Sequence, residues 1–434
     1  MRLPARYAVL HERDYRLFFV GNAVSLVGDY MLPVALAFAV LERYDSAGAL
    51  GVVLAAFSLP LVLLLLVGGV VADRVPRRTV LVAADTVSCV TQAAAAMLVA
   101  TGHWQLWQLA ALEAVRGIAY AFASPTYIGL LPEIAPADQL QEANALRNIA
   151  WSVAQVAGPA LAGVLVAAGS AAVAIGVNAG TYAVSVLCLV ALRPRVAPVR
   201  EPSTMLADLR EGWQEFRSRT WLWVIVAQFS VFHLLVLPPL YVLGALVSKT
   251  DYGGPRTWAI ALTGSGVGSI LGGLVALHAR VRRPLFVATL CAVPYGLLPV
   301  ALAVRAPVLV LAVAGACGGA GFSVFGTLWE TTLQRVIPPD RLSRVSAYDW
   351  FGSVALVPIG YAIVGPLAAA FGVTTMLWVA VVALLVPTLV VLGVPSVTGL
   401  VDEVESGLDD GAGVDAVQPV QVADRAGLPE AGDP

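Results

Sequence analysis

Two sets of ionisable side chains inside long apolar runs, and one at the end of such a run, stand out in this sequence. Glu113 and Arg116 lie three residues apart in the run 105–130. On a helix that spacing puts both on one face, within pairing reach. Asp29 closes the segment Ser25-Leu-Val-Gly28-Asp29 in the run 15–41. If these runs cross a bilayer, each charge costs about 2.5–3.5 kcal/mol on insertion scales, which marks a pathway or a buried pair. Asp29 would lie about 21 Å along its helix from residue 15, at a rise of about 1.5 Å per residue. A carboxyl in that outer half could bind and release protons, with Arg116 and Glu113 setting its affinity or binding substrate. The plainer readings are that Glu113 only neutralises Arg116 and that Asp29 only packs a helix.

The third place is Gly68-Gly69-Val-Val-Ala72-Asp73-Arg74-Val-Pro76-Arg77-Arg78. An acid at the C-terminal end of a helix opposes that helix's dipole and needs a partner. The arginines, or the start of another helix, would make it a conformational latch. Plain anchoring by Arg74, Arg77 and Arg78 explains neither Asp73 nor the glycines, Gly69 among them.

The elements that must position these groups follow from composition. Of 434 residues, 59% are hydrophobic and 12% charged, against roughly 25% charged in an average soluble protein. Mean hydropathy is +0.82. This excludes a soluble enzyme, a disulfide scaffold and a disordered chain. Twelve apolar runs are long enough to span a membrane: 15–41, 48–72, 79–100, 105–130, 139–168, 171–192, 220–247, 257–279, 284–304, 307–333, 341–370 and 372–394. They are apolar throughout rather than alternating, so they predict helices and not barrel strands. With the N-terminus inside, 21 of the 26 basic residues fall in inner segments and four in outer loops. This follows the positive-inside rule and puts both termini in the cytoplasm. The first 16 residues, with four arginines, do not read as a cleavable signal.

The spans divide into six and six. Residues 1–192 and 220–394 are expected to form two helical bundles. The linker 193–219 begins RPRVAPVREP and then carries Leu206, Leu209, Trp213 and Phe216 at helical spacing, behind Ser203. It reads as an amphipathic helix on the inner membrane face. Residues 395–434, with nine acids and one arginine, read as a disordered acidic tail. A shift of 202 residues brings Pro136, Asp138 and Leu140 onto Pro338, Asp340 and Leu342, Gly158 onto Gly360, and Gly163 onto Gly365. A shift of 204 brings Gly68-Gly69 onto Gly272-Gly273. Repeated six-helix units around a central cavity are a transporter arrangement.

Span 5 reads Ala154-x-x-x-Gly158-Pro159-Ala-Leu-Ala162-Gly163. Small residues there allow close helix approach, and Gly264, Gly268 and Gly272 of span 8 are expected to face them across the seam. Generic tight packing would need no transport role. Tyr120, Gln228, His233 and Trp329 are cavity candidates, although His233 is as well explained by a hydrogen bond and the aromatics by packing. Arg147, Glu330 and Asp349 lie near the inner face. By the 202 offset Arg147 matches Asp349, so opposite charges sit at related positions, which reads either as inner-gate ion pairs or as simple interface solvation.

No cofactor or metal is expected. Cys89, Cys188, Cys291 and Cys317 lie in apolar runs outside ligand spacings. The only lysine, Lys249, is not in a phosphate-binding GxxxxGK[ST] loop, so no nucleotide partner is expected, and a net charge of −2 points to no nucleic acid. No HExxH, DDxxD or GxSxG motif marks an enzyme.

A family resemblance attaches to these residues. Gly69-x-x-Ala72-Asp73-Arg74-x-x-Arg77-Arg78 resembles the signature between helices 2 and 3 of the major facilitator superfamily, with Pro76 where glycine is usual. Arg116 resembles the span-4 arginine of its proton-coupled exporters. The span-5 pattern resembles their glycine–proline motif, with Ala154 and Ala162 replacing two glycines. Ser25–Asp29 together with Leu131–Leu146 resembles a bacterial drug:proton antiporter branch that includes macrolide-type and siderophore exporters. The resemblance implies an all-α membrane protein of twelve helices in two pseudo-symmetric bundles. It implies a monomeric, multi-pass exporter in the bacterial inner membrane, moving small amphipathic molecules against protons by alternating access. The alternatives are a dedicated exporter of one natural product, such as a siderophore, and a non-transporting receptor or scaffold.

Overall fold

Among the described residues, eleven helical segments are long and apolar enough to cross a membrane by length and composition. The computed structural model describes residues 9–136, 139–193, 205–278 and 281–400. The first six spans are the single helices α1 (Arg13–Tyr44), α2 (Ala47–Arg74), α3 (Arg77–Thr101), α4 (Leu106–Ile134), α5 (Leu140–Ala168) and α6 (Ala171–Val190). Of these, α4 is the span missing from the eleven: at 29 residues it is long enough, but Glu113 and Arg116 dilute its apolar character. The remaining six spans are the pair α8 (Thr220–Leu235) and α9 (Leu237–Asp251), then α10 (Pro255–His278), then α11 (Pro284–Ala292) with α12 (Leu297–Ala303), then α13 (Val308–Val336), then α14 (Pro339–Val354) with α15 (Val357–Phe371), and finally α16 (Val373–Leu392). A short α17 (Pro395–Thr398) follows. The twelve-helix fold is therefore the observed one.

Three spans of the second half are broken, each beside a proline: Pro238 after α8, Pro294 in the 3₁₀ turn Val293–Gly296, and Pro358 at the start of α15. A proline ring removes one backbone donor and crowds the preceding turn. The first half runs on unbroken through Pro33, Pro60, Pro125 and Pro159. Where spans end, local chemistry stops them. Asp45 caps α1 in the left-handed region, the Ser46 side chain accepts from the amide of Ala49 to start α2, and Gly102 ends α3 at φ 69°.

The linker helix α7 (Met205–Ser218) packs on α14. Trp213 and Phe216 lie 5.6 and 6.1 Å from the Tyr348 ring, and Glu215 pairs with Arg341 at 2.8 Å. The amphipathic face is therefore partly taken by span 11. Residues 194–204 and 401–434, which hold the rest of the linker and most of the acidic tail, lie outside the described residues.

The repeat offset reappears in the packing. Gly158 lies against Tyr30 of span 1, and Gly360 against the Leu234 carbonyl of span 7. Gly163 meets Ala259 across the seam between halves, and Gly365 meets Gly48 across the same seam. A Cβ on Gly365 would lie 2.2 Å from the Gly48 Cα, so only glycine permits that approach.

One apolar core spans both halves at the far end, where the loops 45–46, 252–254 and 304–307 lie. It joins Leu36, Leu41, Leu50 and Val53 to Leu243, Trp258, Leu262 and Leu377. At the opposite end there are two separate cores. One holds Tyr15, Phe18, Leu81 and Leu130 of the first half; the other holds Trp221, Phe229, Phe325 and Trp329 of the second. The halves are therefore sealed together at one end and packed independently at the other.

Candidate functional site

Asp29, Glu113 and Arg116 meet in one cluster inside the first half. Arg116 donates from Nε to Glu113 Oε2 at 2.9 Å and holds the same oxygen with Nη2 at 2.8 Å. Gln92 of α3 donates to Glu113 Oε1 at 2.7 Å, so both carboxyl oxygens are engaged. Glu113 and Gln92 are fully buried. The far side of the guanidinium reaches Asp29 Oδ1 at 3.7 Å, and its carbon lies 4.0 Å over the Phe57 ring. Tyr182 of α6 donates to Asp29 Oδ1 at 2.6 Å.

Local sequence explains this convergence. A Cβ on Gly28 would fall 2.2 Å from Asn178 Oδ1 and from Thr181 Oγ1. Its absence lets α6 approach α1 closely enough to bring Tyr182 to Asp29. The i,i+3 spacing then aims Glu113 and Arg116 of α4 at the same point.

The two acids have different roles in this geometry. Glu113 is held by three donated contacts and is the fixed counter-ion of Arg116. Asp29 has a longer ion pair and a side chain about one-fifth exposed. With two acids and one arginine, the cluster is neutral when it holds one proton and carries a single negative charge when it holds none. Chemically it can take up and release one proton.

A second buried acid escaped the sequence reading. Asp85 of α3 accepts from Tyr127 at 2.7 Å and from Ser185 at 2.5 Å, both on Oδ2. Asp85, Ser88 and Gln92 are all buried along one face of α3, opposite Asn178, Tyr182 and Ser185 of α6. The i, i+3, i+7 pattern was the available signal.

Between the halves lies a cavity of about 570 Å³, part of it open to solvent, lined by Tyr30, Pro33, Gln155 and Pro159 of the first half and by Tyr241, Ser265 and Tyr295 among others of the second. Tyr30 follows Asp29 on α1, so this one helix carries an acid of the charge cluster and a wall of the cavity. The expected cavity residues lie elsewhere. Tyr120 packs edge-on to Phe57, Gln228 donates to Thr388 at 2.8 Å beside a smaller pocket, His233 bonds the Phe229 carbonyl, and Trp329 donates to Asp349 at 3.0 Å. All four are tied into their own half.

The seam is also lined differently from expectation. Helices α5 and α10 do touch, but Gly264, Gly268 and Gly272 face Ala312, Ala316 and Ala320 of α13. Gly266 is the glycine against α5, at Gln155. Two residues along a helix rotate the side chain by about 200°, so the four-residue stripe and Gly266 look opposite ways. Of the span-5 motif, Gly158 faces Tyr30, Pro159 lines the cavity and Gly163 crosses the seam.

At the supposed latch, the surroundings of Gly69 and the side chains of Asp73 and Arg74 lie outside what the structure describes. Arg77 binds Glu133 at 2.9 Å and the Gly129 carbonyl at 2.6 Å. Arg78 bonds the Leu189 carbonyl at 3.0 Å and that of Val190. These described contacts brace α3 to α4 and α6 within the first half. Arg147 and Glu330 interact electrostatically across the seam without an ion pair within 4.0 Å among the described residues, while Asp349 is held by Trp329. The described ion pair that does cross between halves is at the far end, where Lys249 binds Asp45 and the Leu41 carbonyl, both at 2.6 Å.

Twelve helices in two related halves, a cavity between them and ionisable groups inside the membrane define a secondary-transporter architecture. Residues 5–406 match the family of transmembrane secretion effectors (MFS_3), and the chain belongs to that family of the major facilitator superfamily. It is a multi-pass membrane transporter, not an enzyme. It is 27% identical to the multidrug efflux pump Tap of Mycobacterium tuberculosis (strain ATCC 25618 / H37Rv), over 82% of this chain and 87% of that protein. It is 24% identical to macrolide efflux protein A of Streptococcus pyogenes, over 79% and 86%. It also matches an uncharacterized MFS-type transporter, YfiS of Bacillus subtilis (strain 168), at 27% identity, over 47% of this chain and about half the length (49%) of that protein. Among solved structures, a bacterial homologue of the iron transporter ferroportin in an inward-facing state superposes with a TM-score of 0.70 at 18% identity, covering 88% of this chain and 98% of that one.

Proposed function

We propose that this protein exports small amphipathic molecules from the bacterial cytoplasm across the inner membrane, in exchange for protons and by alternating access. The near end, where the charge count puts the cytoplasm, is the end at which the halves pack separately. On this reading the described conformation opens inward.

The observation that carries the reading is the cluster of Asp29, Glu113 and Arg116, in which one proton separates a neutral state from a charged one. Asp29 takes a proton from the outside in the outward-open state and gives it up toward the cytoplasm in the inward-open state. Arg116, anchored by Glu113, stabilises Asp29 after the proton leaves. Because α1 also forms a cavity wall through Tyr30, proton and cargo act on the same helix. Inward proton movement is driven by about 2.3 kcal/mol per charge for each 100 mV of potential. The relatives named as multidrug and macrolide efflux pumps support the direction of transport. Asp73, with Arg77 and Arg78, is proposed to steady the outward-open state, with Arg147, Glu330 and Asp349 meeting as the inner gate closes.

The test is transport in inside-out vesicles energised by a proton gradient. Uptake of a panel of lipophilic drugs that stops when the gradient is collapsed is expected. Uptake at the same rate after collapse would rule out antiport.

A further inference from the structure

We propose that the cavity between the halves selects neutral, largely apolar molecules that present a hydrogen-bond acceptor, and that Gln155 supplies the donor. This rests on the reading above that the cavity is the seat of the transported molecule.

The walls give the argument. Among the described residues that line the cavity none is charged. The acids and the arginine of the charge cluster lie inside the first half, between α1, α4 and α6, and are not among those lining residues. An ion entering the cavity would leave water without a counter-charge to meet it, a large cost in an apolar setting. The polar side chains along the walls are three tyrosines, Ser265 and Gln155. Gln155 lines the cavity and its enclosed Nε2 has no hydrogen-bond partner, so it meets a ligand acceptor once the side-chain amide turns toward the cavity, while the backbone beside it is fixed by the approach of Gly266 to the Gln155 carbonyl. Ser265 directs its proton to the Ala261 carbonyl at 3.3 Å, which leaves its oxygen to accept only. Tyr30, Tyr241 and Tyr295 contribute ring surface and phenolic hydroxyls. Such a site favours a ring system bearing a ketone, lactone, ester or amide carbonyl. A ligand lacking the acceptor leaves the Gln155 donor unmet, and that loss is the basis of discrimination. Asp29 and Tyr30 are adjacent on α1, about 100° apart, so charge for the proton and contact for the cargo lie on neighbouring faces of one helix.

The test is calorimetric binding to the full chain in nanodiscs, with empty discs as reference and no proton gradient. The probes are fluorenone, fluorene, and fluorenone carrying a trimethylammonium group. Fluorenone is expected to bind about tenfold more tightly than either of the others, the equivalent of one decade in Kd. Gln155→Leu is expected to bring fluorenone down to the affinity of fluorene and to leave fluorene unchanged, which also shows the fold intact. Gln155→Glu is expected to lose fluorenone and gain the cation. Equal binding of cation and neutral ketone by the native chain would overturn the proposal, as would a ketone preference that survives Gln155→Leu. If Gln155→Leu binds neither neutral probe, Gln155→Glu decides: a gained cation supports the assignment and no gain refutes it. Binding is read without proton movement, so a failure of antiport leaves this result standing and a failure here leaves antiport standing.

Discussion

The two halves share a fold but not a chemistry. The first half has six unbroken spans and gathers Asp29, Asp85, Glu113 and Arg116 in its interior, with Gln92, Tyr182, Tyr127 and Ser185 donating hydrogen bonds to the three acids. The second half breaks three of its spans at prolines, and its interior is ringed by Phe229, Phe232, Phe322 and Phe325, with centroid separations down to 4.5 Å. Its interior polar pairs, Gln228 with Thr388 and Trp329 with Asp349, involve at most one formal charge each. The shared architecture thus carries different interiors: one half holds buried charge on fixed partners, and the other presents rings and breaks its helices. Buried charge needs fixed partners, which unbroken helices supply. Broken helices free backbone groups that other partners must satisfy.

The largest effect expected from breaking this contrast is on the arginine. Arg116→Met leaves Glu113 buried without its cation, and removal of one partner from a buried pair costs about 3–5 kcal/mol. A clear fall in melting temperature and loss of transport are expected, read by thermal unfolding and vesicle uptake. The matching change in the second half, Asp349→Asn, keeps an acceptor for Trp329 Nε1 and should cost no more than about 1 kcal/mol. Comparable losses from the two variants would remove the asymmetry.

A smaller effect is expected at Asp85. Asp85→Asn retains an oxygen for Tyr127 and Ser185 but cannot hold an exchangeable proton. If the polar stripe of α3 and α6 serves the proton's route, proton release slows several-fold while ligand affinity stays unchanged. An unaltered proton flux would confine Asp85 to packing.

The linker offers a pH test outside the membrane spans. Hydrogen bonds from Arg219, and then from Arg341, hold the Glu215 carboxyl below its ordinary value of 4.5. A depressed carboxyl pKa stabilises the docked state above the unfolded value, and the stabilisation is lost as pH falls through the lower folded value. Docking of α7 on α14 should therefore be unchanged from neutral pH down to about 4.5 and weaken below it. Trp213 fluorescence would follow the release, and Glu215→Gln should abolish the acid transition.

The smallest effect is expected at the far end. Lys249 spans the halves to Asp45, whose side chain is 73% exposed. Exposed pairs contribute less than about 1 kcal/mol. Lys249→Met should shift the inward–outward balance by less than about fivefold, measured by distance distributions between spin labels on the two halves.

Much of this was legible in the sequence. Each span needs about 20 apolar residues, so all twelve could be read off directly. The i,i+3 spacing of Glu113 and Arg116 announced their pairing. Breaks at Pro238, Pro294 and Pro358 were not legible, because other prolines leave α1, α2 and α5 continuous and only tertiary packing decides between the outcomes. Gln155 and Tyr30 were missed as cavity walls because the cavity is made by helices more than 80 residues apart in the chain. The facing of Gly266 rather than Gly264 toward α5 depends on the rotation of α10, which a stripe of small residues on both sides does not specify.

The central claim is that the proton rides on Asp29. In inside-out vesicles loaded with a pH dye, adding a substrate of the native chain should trigger proton movement, and Asp29→Asn should abolish that movement while the substrate still binds. Transport by Asp29→Asn at the native rate, still responsive to a collapsed pH gradient, would contradict the account.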